Sequence, residues 1–237
     1  MIPMRRGMIV GVVLAVLCAP GDGWADANGS PASILKKGQW VFGLGGGTMV
    51  ERGLTGGPET TVNRIGHFRG YGLTDRISLY GTVGGGFIQV TDPSVPTTVS
   101  DDFGLGLLLA AQAKARFWRH HDSGLEWDGS VKFSRIRARE RSSNDGRWNE
   151  WDLSTSVAKP VGRWTPYAGV KMSFIDFAYH YRVHGTTVRS GKYEQDGHFG
   201  AFIGTDWSLS EQDDVFLNVE TGFTDGAELH LALAYVF

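Results

Sequence analysis

Glu228-Leu229-His230-Leu231-Ala232-Leu233-Ala234-Tyr235-Val236-Phe237 puts Leu229, Leu231, Leu233, Tyr235 and Phe237 on one side of an extended chain, with Glu228, His230, Ala232 and Ala234 on the other. Successive side chains of a strand point to opposite faces, so this period of two marks a strand with one apolar face. The pattern recurs upstream. Residues 102–118 set Phe103, Leu105, Leu107, Leu109 and Phe117 against Gln112, Lys114 and Arg116. Residues 164–174 set Ala168, Val170, Met172 and Phe174 against Lys171 and Ser173, and 214–223 set Val215, Leu217, Val219 and Phe223 against Asn218 and Glu220.

Extended segments of this kind are expected at about 39–50, 60–72, 76–91, 102–118, 124–139, 148–160, 164–182, 192–207, 214–223 and 227–237. Their connections alternate. Leu73-Thr74-Asp75, Arg119 to Ser123, Val161-Gly162-Arg163 and Ser208 to Asp213 are short, whereas Arg52 to Glu59, Asp92 to Asp101, Glu140 to Arg147 and Val183 to Gly191 are longer and polar. The expected fold is all-β: a transmembrane antiparallel up-and-down β-barrel of about ten strands, with short periplasmic turns and longer extracellular loops. An even strand count brings both ends of the barrel to the periplasmic side.

Composition agrees. The chain has 237 residues, of which 34 are Gly, 12% are aromatic and 1 is Cys. A single cysteine excludes an intrachain disulfide framework and a cysteine-rich zinc site. A net charge of -2 offers no basic field for nucleic acid. Past the N-terminus no apolar run is long enough for a membrane-spanning helix. Residues 1–27 have the form of a cleaved signal peptide: Arg5-Arg6, an apolar stretch from Met8 to Ala19, the breakers Pro20, Gly21 and Gly23, then small residues at cleavage spacing near 25–27. Leu17 before Cys18 is too bulky for a lipid-attachment box. Residues 28–37 form a polar lead-in expected as a periplasmic tail, and 38–237 the barrel, with no further domain.

Alternation alone does not say which face meets lipid, since a soluble barrel alternates too. The export signal and the tryptophans choose lipid outside. Trp40, Trp118, Trp127, Trp164 and Trp207 fall at turn-side strand ends, and Trp148 and Trp151 at a loop-side end, with Tyr179, Tyr181 and Tyr193 nearby. Indole favours the membrane–water boundary, so two aromatic girdles are expected. The opposite face would then place His67, Arg69, Lys114, Arg116, Glu126, Asp128, Lys132, Asp152, Lys171, Glu220, Glu228 and His230 in the lumen. Both signs are present, which suits an ion-pair network that fills the barrel, or else the lining of a narrow pore. On the lipid side, Val131 and Phe133 lead into Arg135, Arg137, Arg139 and Arg141. Guanidinium forks match phosphate, so this row is a candidate contact for lipopolysaccharide. The alternative is a solvated stem paired with Glu140 and Glu150.

Signs of catalysis are weaker. Asp176, His180, His184, Asp196 and His198 lie near the loop-side rim, where a hydrolase would gather acid and imidazole groups. His180 and His184 would share a helix face, but a strand separates them, so neither metal nor cofactor is expected. Ser142 and Ser143 sit in a loop away from any membrane-facing His.

The phrase Tyr71-Gly72-Leu73-Thr74-Asp75-Arg76-Ile77-Ser78-Leu79 looks like the periplasmic turn of small outer-membrane barrels. With the terminal aromatic strand, it makes residues 38–237 resemble the OmpA-like and opacity-type superfamily. That resemblance implies an integral outer-membrane protein of a Gram-negative bacterium, in contact with membrane lipid and lipopolysaccharide. It also implies that Leu233, Tyr235 and Phe237 form the signal read by the barrel assembly machinery. It names no surface ligand. The functional expectation is a non-enzymatic barrel with a structural or surface-interaction role. A narrow porin-like channel and a rim-site hydrolase are the alternatives.

Overall fold

The computed structural model describes residues 34–54, 59–91, 102–139, 144–183, 186–212 and 214–237. The expected signal segment, the first part of the lead-in, Glu140, Arg141, Ser142, Ser143 and His184 lie outside the described residues. Ten strands follow one another: β1 Trp40–Gly53, β2 Glu59–Thr74, β3 Ile77–Thr91, β4 Asp102–Arg119, β5 Glu126–Arg139, β6 Asp145–Ala158, β7 Trp164–Val183, β8 Thr186–Ser208, β9 Val215–Phe223 and β10 Ala227–Val236. Each pairs antiparallel with its sequence neighbour, and β1 pairs with β10, which closes the sheet into a barrel. At the seam, Trp40 N–H donates to the Phe237 carbonyl and Phe237 N–H to that of Trp40, both at 2.9 Å. Closure leaves no edge strand with unpaired backbone groups. β6 and β8 begin earlier than the residue pattern suggested, so the β7–β8 hairpin is mostly ladder where a loop over 183–191 was expected.

One end of the barrel carries the short connections, the start of β1 and the end of β10. There Thr74 Oγ1 accepts from the N–H groups of Arg76 at 3.2 Å and Ile77 at 3.0 Å, which fixes the β2–β3 turn. The last residues of the lead-in dock here. Ile34 and Leu35 are buried, Leu35 N–H donates to Ser78 Oγ at 2.8 Å, and Lys37 N–H donates to Asp75 Oδ1 at 3.0 Å. Leu35 packs with Val41, Tyr80, Phe68, Ala234 and Val236 in an apolar cluster at this end of the barrel.

The alternation inverts its chemistry along the barrel. On β5 the inward positions run Glu126, Asp128, Ser130, Lys132 and Ser134, then change to Ile136 and Ala138. Its outward positions run Trp127, Val131 and Phe133, then change to Arg135, Arg137 and Arg139. β6 and β7 change at the same level, with Trp148, Ile175, Phe177 and Tyr179 inside and Arg147, Asn149 and Asp176 on the outer side. Below this ring the wall is apolar outside and polar inside, as lipid requires. Above it these three strands are polar outside and largely apolar inside, as water requires, whereas β4 keeps Leu105 and Leu107 on its outer face. The upper interior is a cluster that includes Val62, Ile88, Phe103, Ile136, Trp148, Ile175 and Phe177.

This inversion corrects the face of Trp148 and two tyrosines. Trp148 is fully buried, Tyr179 is buried and Tyr193 packs against the same inner cluster, so none of them belongs to a girdle. Phe103 also turns inward. Gly104 takes φ +68°, the β3–β4 register shifts beyond Phe87, and the extra residue moves Phe103 from the leucine face into the interior, edge-on to Phe177 at 5.2 Å.

Candidate functional site

Two regions concentrate charged side chains: the middle of the lumen and the loop-end outer wall. In the lumen, Glu228 of β10 accepts from Lys171 Nζ and lies 3.3 Å from both Arg52 Nη1 and His230 Nε2. Glu150 of β6 accepts from Arg64, from Arg52 Nη1 at 3.3 Å and from the Trp148 indole at 3.2 Å. Arg52 thereby bridges the two carboxylates, and its Nε donates to Gln195 Oε1 at 2.8 Å. Asp152 accepts from Ser173 Oγ and faces Lys132 across the β5–β6 ladder. These groups come from seven strands, so the network ties together walls that share no backbone pairing.

Toward the turn end, Arg116 Nη2 meets Glu126 at 2.8 Å, and its Nε lies 3.6 Å from Asp128. Lys114 Nζ sits over the Tyr80 ring at 5.4 Å. Tyr167 donates to Glu220 at 3.0 Å, and Asn218 Nδ2 donates to Asp206 at 2.7 Å. The space left among Arg64, Lys132, Glu150, Asp152, Lys171, Glu228 and His230 is a cavity of about 10 Å³. Such a volume holds about one water.

Of the residues expected in the lumen, Lys114, Arg116, Glu126, Asp128, Lys132, Asp152, Lys171, Glu220, Glu228 and His230 point inward. His67 and Arg69 do not. Both are exposed on the outer wall, with the Phe42 ring 6.2 Å from the imidazole and 5.8 Å from the guanidinium. The inward phase of β2 belongs to Val62, Arg64, Gly66, Phe68 and Gly70. Phe68 fills the space that Gly43 leaves, for a Cβ there would lie 2.3 Å from Phe68 Cζ. Arg69 precedes Tyr71 by two residues, so its long stem reaches the boundary level. Arg52, Arg64, Glu150 and Gln195 are lumen residues that the residue pattern did not single out. Arg64 was visible by its phase with Val62. In the sequence Arg52 falls within an expected loop and Glu150 beside the expected outer stem.

Below the level at which β5–β7 invert, the outer wall is mostly apolar: Phe199 is 77% exposed, Ile203 64% and Val170 52%. Trp40, Trp118, Trp127, Trp164 and Trp207 stand on that wall at the turn end, and Trp151 stands on it beside Phe133. Trp164 and Trp207 stack at 4.9 Å, and Trp127 Nε1 donates to Thr155 Oγ1 at 2.7 Å.

The fold is that of a transmembrane β-barrel.

No family model and no curated protein matches the sequence. Among solved structures, the chain is similar to Ail, the attachment invasion locus protein of Yersinia pestis, at 8% identity and TM-score 0.42, covering 85% of this chain and 99% of Ail. It is similar to Neisserial surface protein A at 10% identity and TM-score 0.38, covering 84% and 96%. It is also similar to the outer membrane protease OmpT of Escherichia coli at 9% identity and TM-score 0.44, covering 84% and 94%.

Among the rim residues expected for hydrolysis, Asp176 and His198 each meet a group outside that set. Asp176 is 2.9 Å from Lys192 Nζ, and His198 Nδ1 is 3.6 Å from Asp225. Glu194 also accepts from Lys192, and these two carboxylates raise the Lys192 ammonium above its ordinary pKa. The side chain of Asp196 is outside the described set. At the outer stem, Arg135 Nε donates to Asn149 Oδ1 at 2.7 Å and Arg139 Nε meets Asp145 at 3.2 Å. Glu150 does not serve this stem, because it lies inside with Arg52 and Arg64.

Proposed function

We propose that the protein is an integral outer-membrane barrel of a Gram-negative bacterium with a closed lumen and a structural or surface-interaction role, without catalysis of its own. The turn end faces the periplasm and the loop end the exterior. The observation that supports a closed lumen is its stacked filling. The apolar cluster around Leu35 and Tyr80 lies at the turn end, the Arg52–Glu150–Arg64 and Lys171–Glu228 network in the middle, and the Trp148–Phe177 cluster at the loop end. Ten strands enclose only slightly more space than the eight-strand case that side chains fill. Large buried groups take that space here. The docked lead-in and the long β7–β8 hairpin suit a rigid support that presents its loop end to partners.

Planar-bilayer recording tests this reading. The purified protein is expected to insert without producing discrete current steps in molar potassium chloride. Steady single-channel steps would favour the porin-like alternative.

A further inference from the structure

On the outer wall at the loop end, β5 and β6 set arginine against arginine. Arg137 and Arg147 are directly opposed in the ladder, both exposed on the same outward face. Like charges directly opposite each other destabilise a sheet pair. Among the described residues neither has a carboxylate partner, whereas Arg139 above them meets Asp145 and Arg135 below them donates to the neutral amide of Asn149. The acids nearby are engaged too, since Lys192 bridges Asp176 and Glu194. Arg137 and Arg147 therefore carry unmatched positive charge.

Their depth is informative. From Trp127 at the turn-end girdle to Arg137 is ten residues along one strand. At ~3.4 Å per residue and a tilt near 40°, that is a rise of about 26 Å, the height of a barrel's apolar band. The pair thus stands at the level of outer-leaflet head groups. Beside it lies an open groove of about 430 Å³ lined by the apolar Phe133, Trp151, Phe174 and Ile175 and by the polar Arg135, Asn149, Asp176, Glu194 and Gln195, with Asp176 and Glu194 both bound to Lys192. On the other flank, Leu105, Leu107 and Leu109 of β4 form an exposed apolar row, and Leu107 is paired with Arg137 itself. Cation and hydrocarbon surface meet along one line.

We infer that Arg137 and Arg147 together bind the phosphate of an outer-leaflet glycolipid of the lipid A type, with its acyl chains lying in the Phe133–Trp151–Phe174 groove and along the β4 leucines. Two guanidiniums side by side suit a phosphomonoester dianion better than the singly charged diester of a phospholipid. Apolar surface on both flanks suits a head group that carries several chains. Among the described residues the opposed arginines belong to β5 and β6 alone: outward positions at this end are Asn63 and Glu59 on β2, Gln89 on β3 and Asp176 on β7, and the β8 cation Lys192 is bound to Asp176 and Glu194. The site inferred is this one pair on the wall, a narrower unit than the expected row of Arg135, Arg137, Arg139 and Arg141. This inference rests on the reading of the loop end as the outer-leaflet side. It does not depend on the lumen being closed, so current steps in the bilayer recording would leave it standing.

The test is native mass spectrometry of the folded barrel in dodecyl maltoside with added diphosphoryl lipid A, its dephosphorylated form, or phosphatidylglycerol. Wild-type protein is expected to retain diphosphoryl lipid A over both others. R137Q/R147Q is expected to lose about tenfold in apparent affinity, the scale of one charge-assisted hydrogen bond. R163Q, at the turn end, is expected to lose nothing. The single variants R137Q and R147Q give the same reading with a smaller loss if the double variant does not assemble. Undiminished binding by the arginine variants would overturn the inference. So would equal retention of the dephosphorylated lipid, or of phosphatidylglycerol.

Discussion

Glu228 shows what one residue does inside this wall. It is buried and holds Lys171, Arg52 and His230, three cationic or ionisable groups from three other positions. Removing one partner from a buried ion pair leaves an uncompensated charge and costs about 3–5 kcal/mol. Glu228→Leu is therefore expected to lower stability by about that amount, read as the urea midpoint of tryptophan fluorescence in micelles. Lys171→Met combined with Glu228→Leu should cost less than the two single changes added together, because the pair couples directly. Strict additivity would mean that Lys171 and Glu228 do not interact in the folded protein. The inward phase of Lys171, Glu228 and His230 could be read from alternation. That Arg52 and Glu150 join them could not, because those contacts cross 98 and 176 residues of chain.

At the scale of the strand, β4 and β5 explain which faces were legible. β5 alternates cleanly for its whole length, so the positions of its arginines followed from spacing. Their surroundings did not, because the strand leaves the apolar band partway and its two faces exchange roles. β4 alternates only up to its bulge. Gly104 sits at φ +68°, a conformation that a β-branched residue adopts with strain, and the bulge decides that Phe103 points inward. Gly104→Val is expected to cost about 1–2 kcal/mol from the left-handed backbone alone. It should also disturb the Phe103–Phe177 edge contact, visible as a weaker near-ultraviolet aromatic signal. An unchanged midpoint and spectrum would show that this bulge does not set the face of Phe103.

For the whole molecule the governing fact is closure. All ten strands are paired on both sides, with β1 against β10 at the seam. A closed ladder in detergent offers no edge at which unfolding begins, so the barrel should stay folded in cold SDS and unfold only on boiling. The expected result is two gel mobilities, one before and one after heating. A single mobility under both conditions would contradict a closed barrel of this kind. The cross-lumen ion pairs add rigidity across the section, whereas the β7–β8 hairpin has the two longest strands and carries the exposed Asp176–Lys192–Glu194 contacts.

Sequence alone determined the all-β class, the strand number and order, the apolar outer wall and the row of outward arginines on β5. These follow from period-two spacing, turn residues and connection length, which are local properties of a chain. Tertiary structure alone decided where the faces exchange chemistry, and with that the inward place of Trp148 and the outward place of His67 and Arg69. It also decided which arginines are matched. Arg139 and Arg135 find partners on β6, while Arg137 meets Arg147. Those outcomes depend on cross-strand register and on the depth at which the wall leaves the apolar band. Both are set by how ten strands close together, and no single segment encodes them.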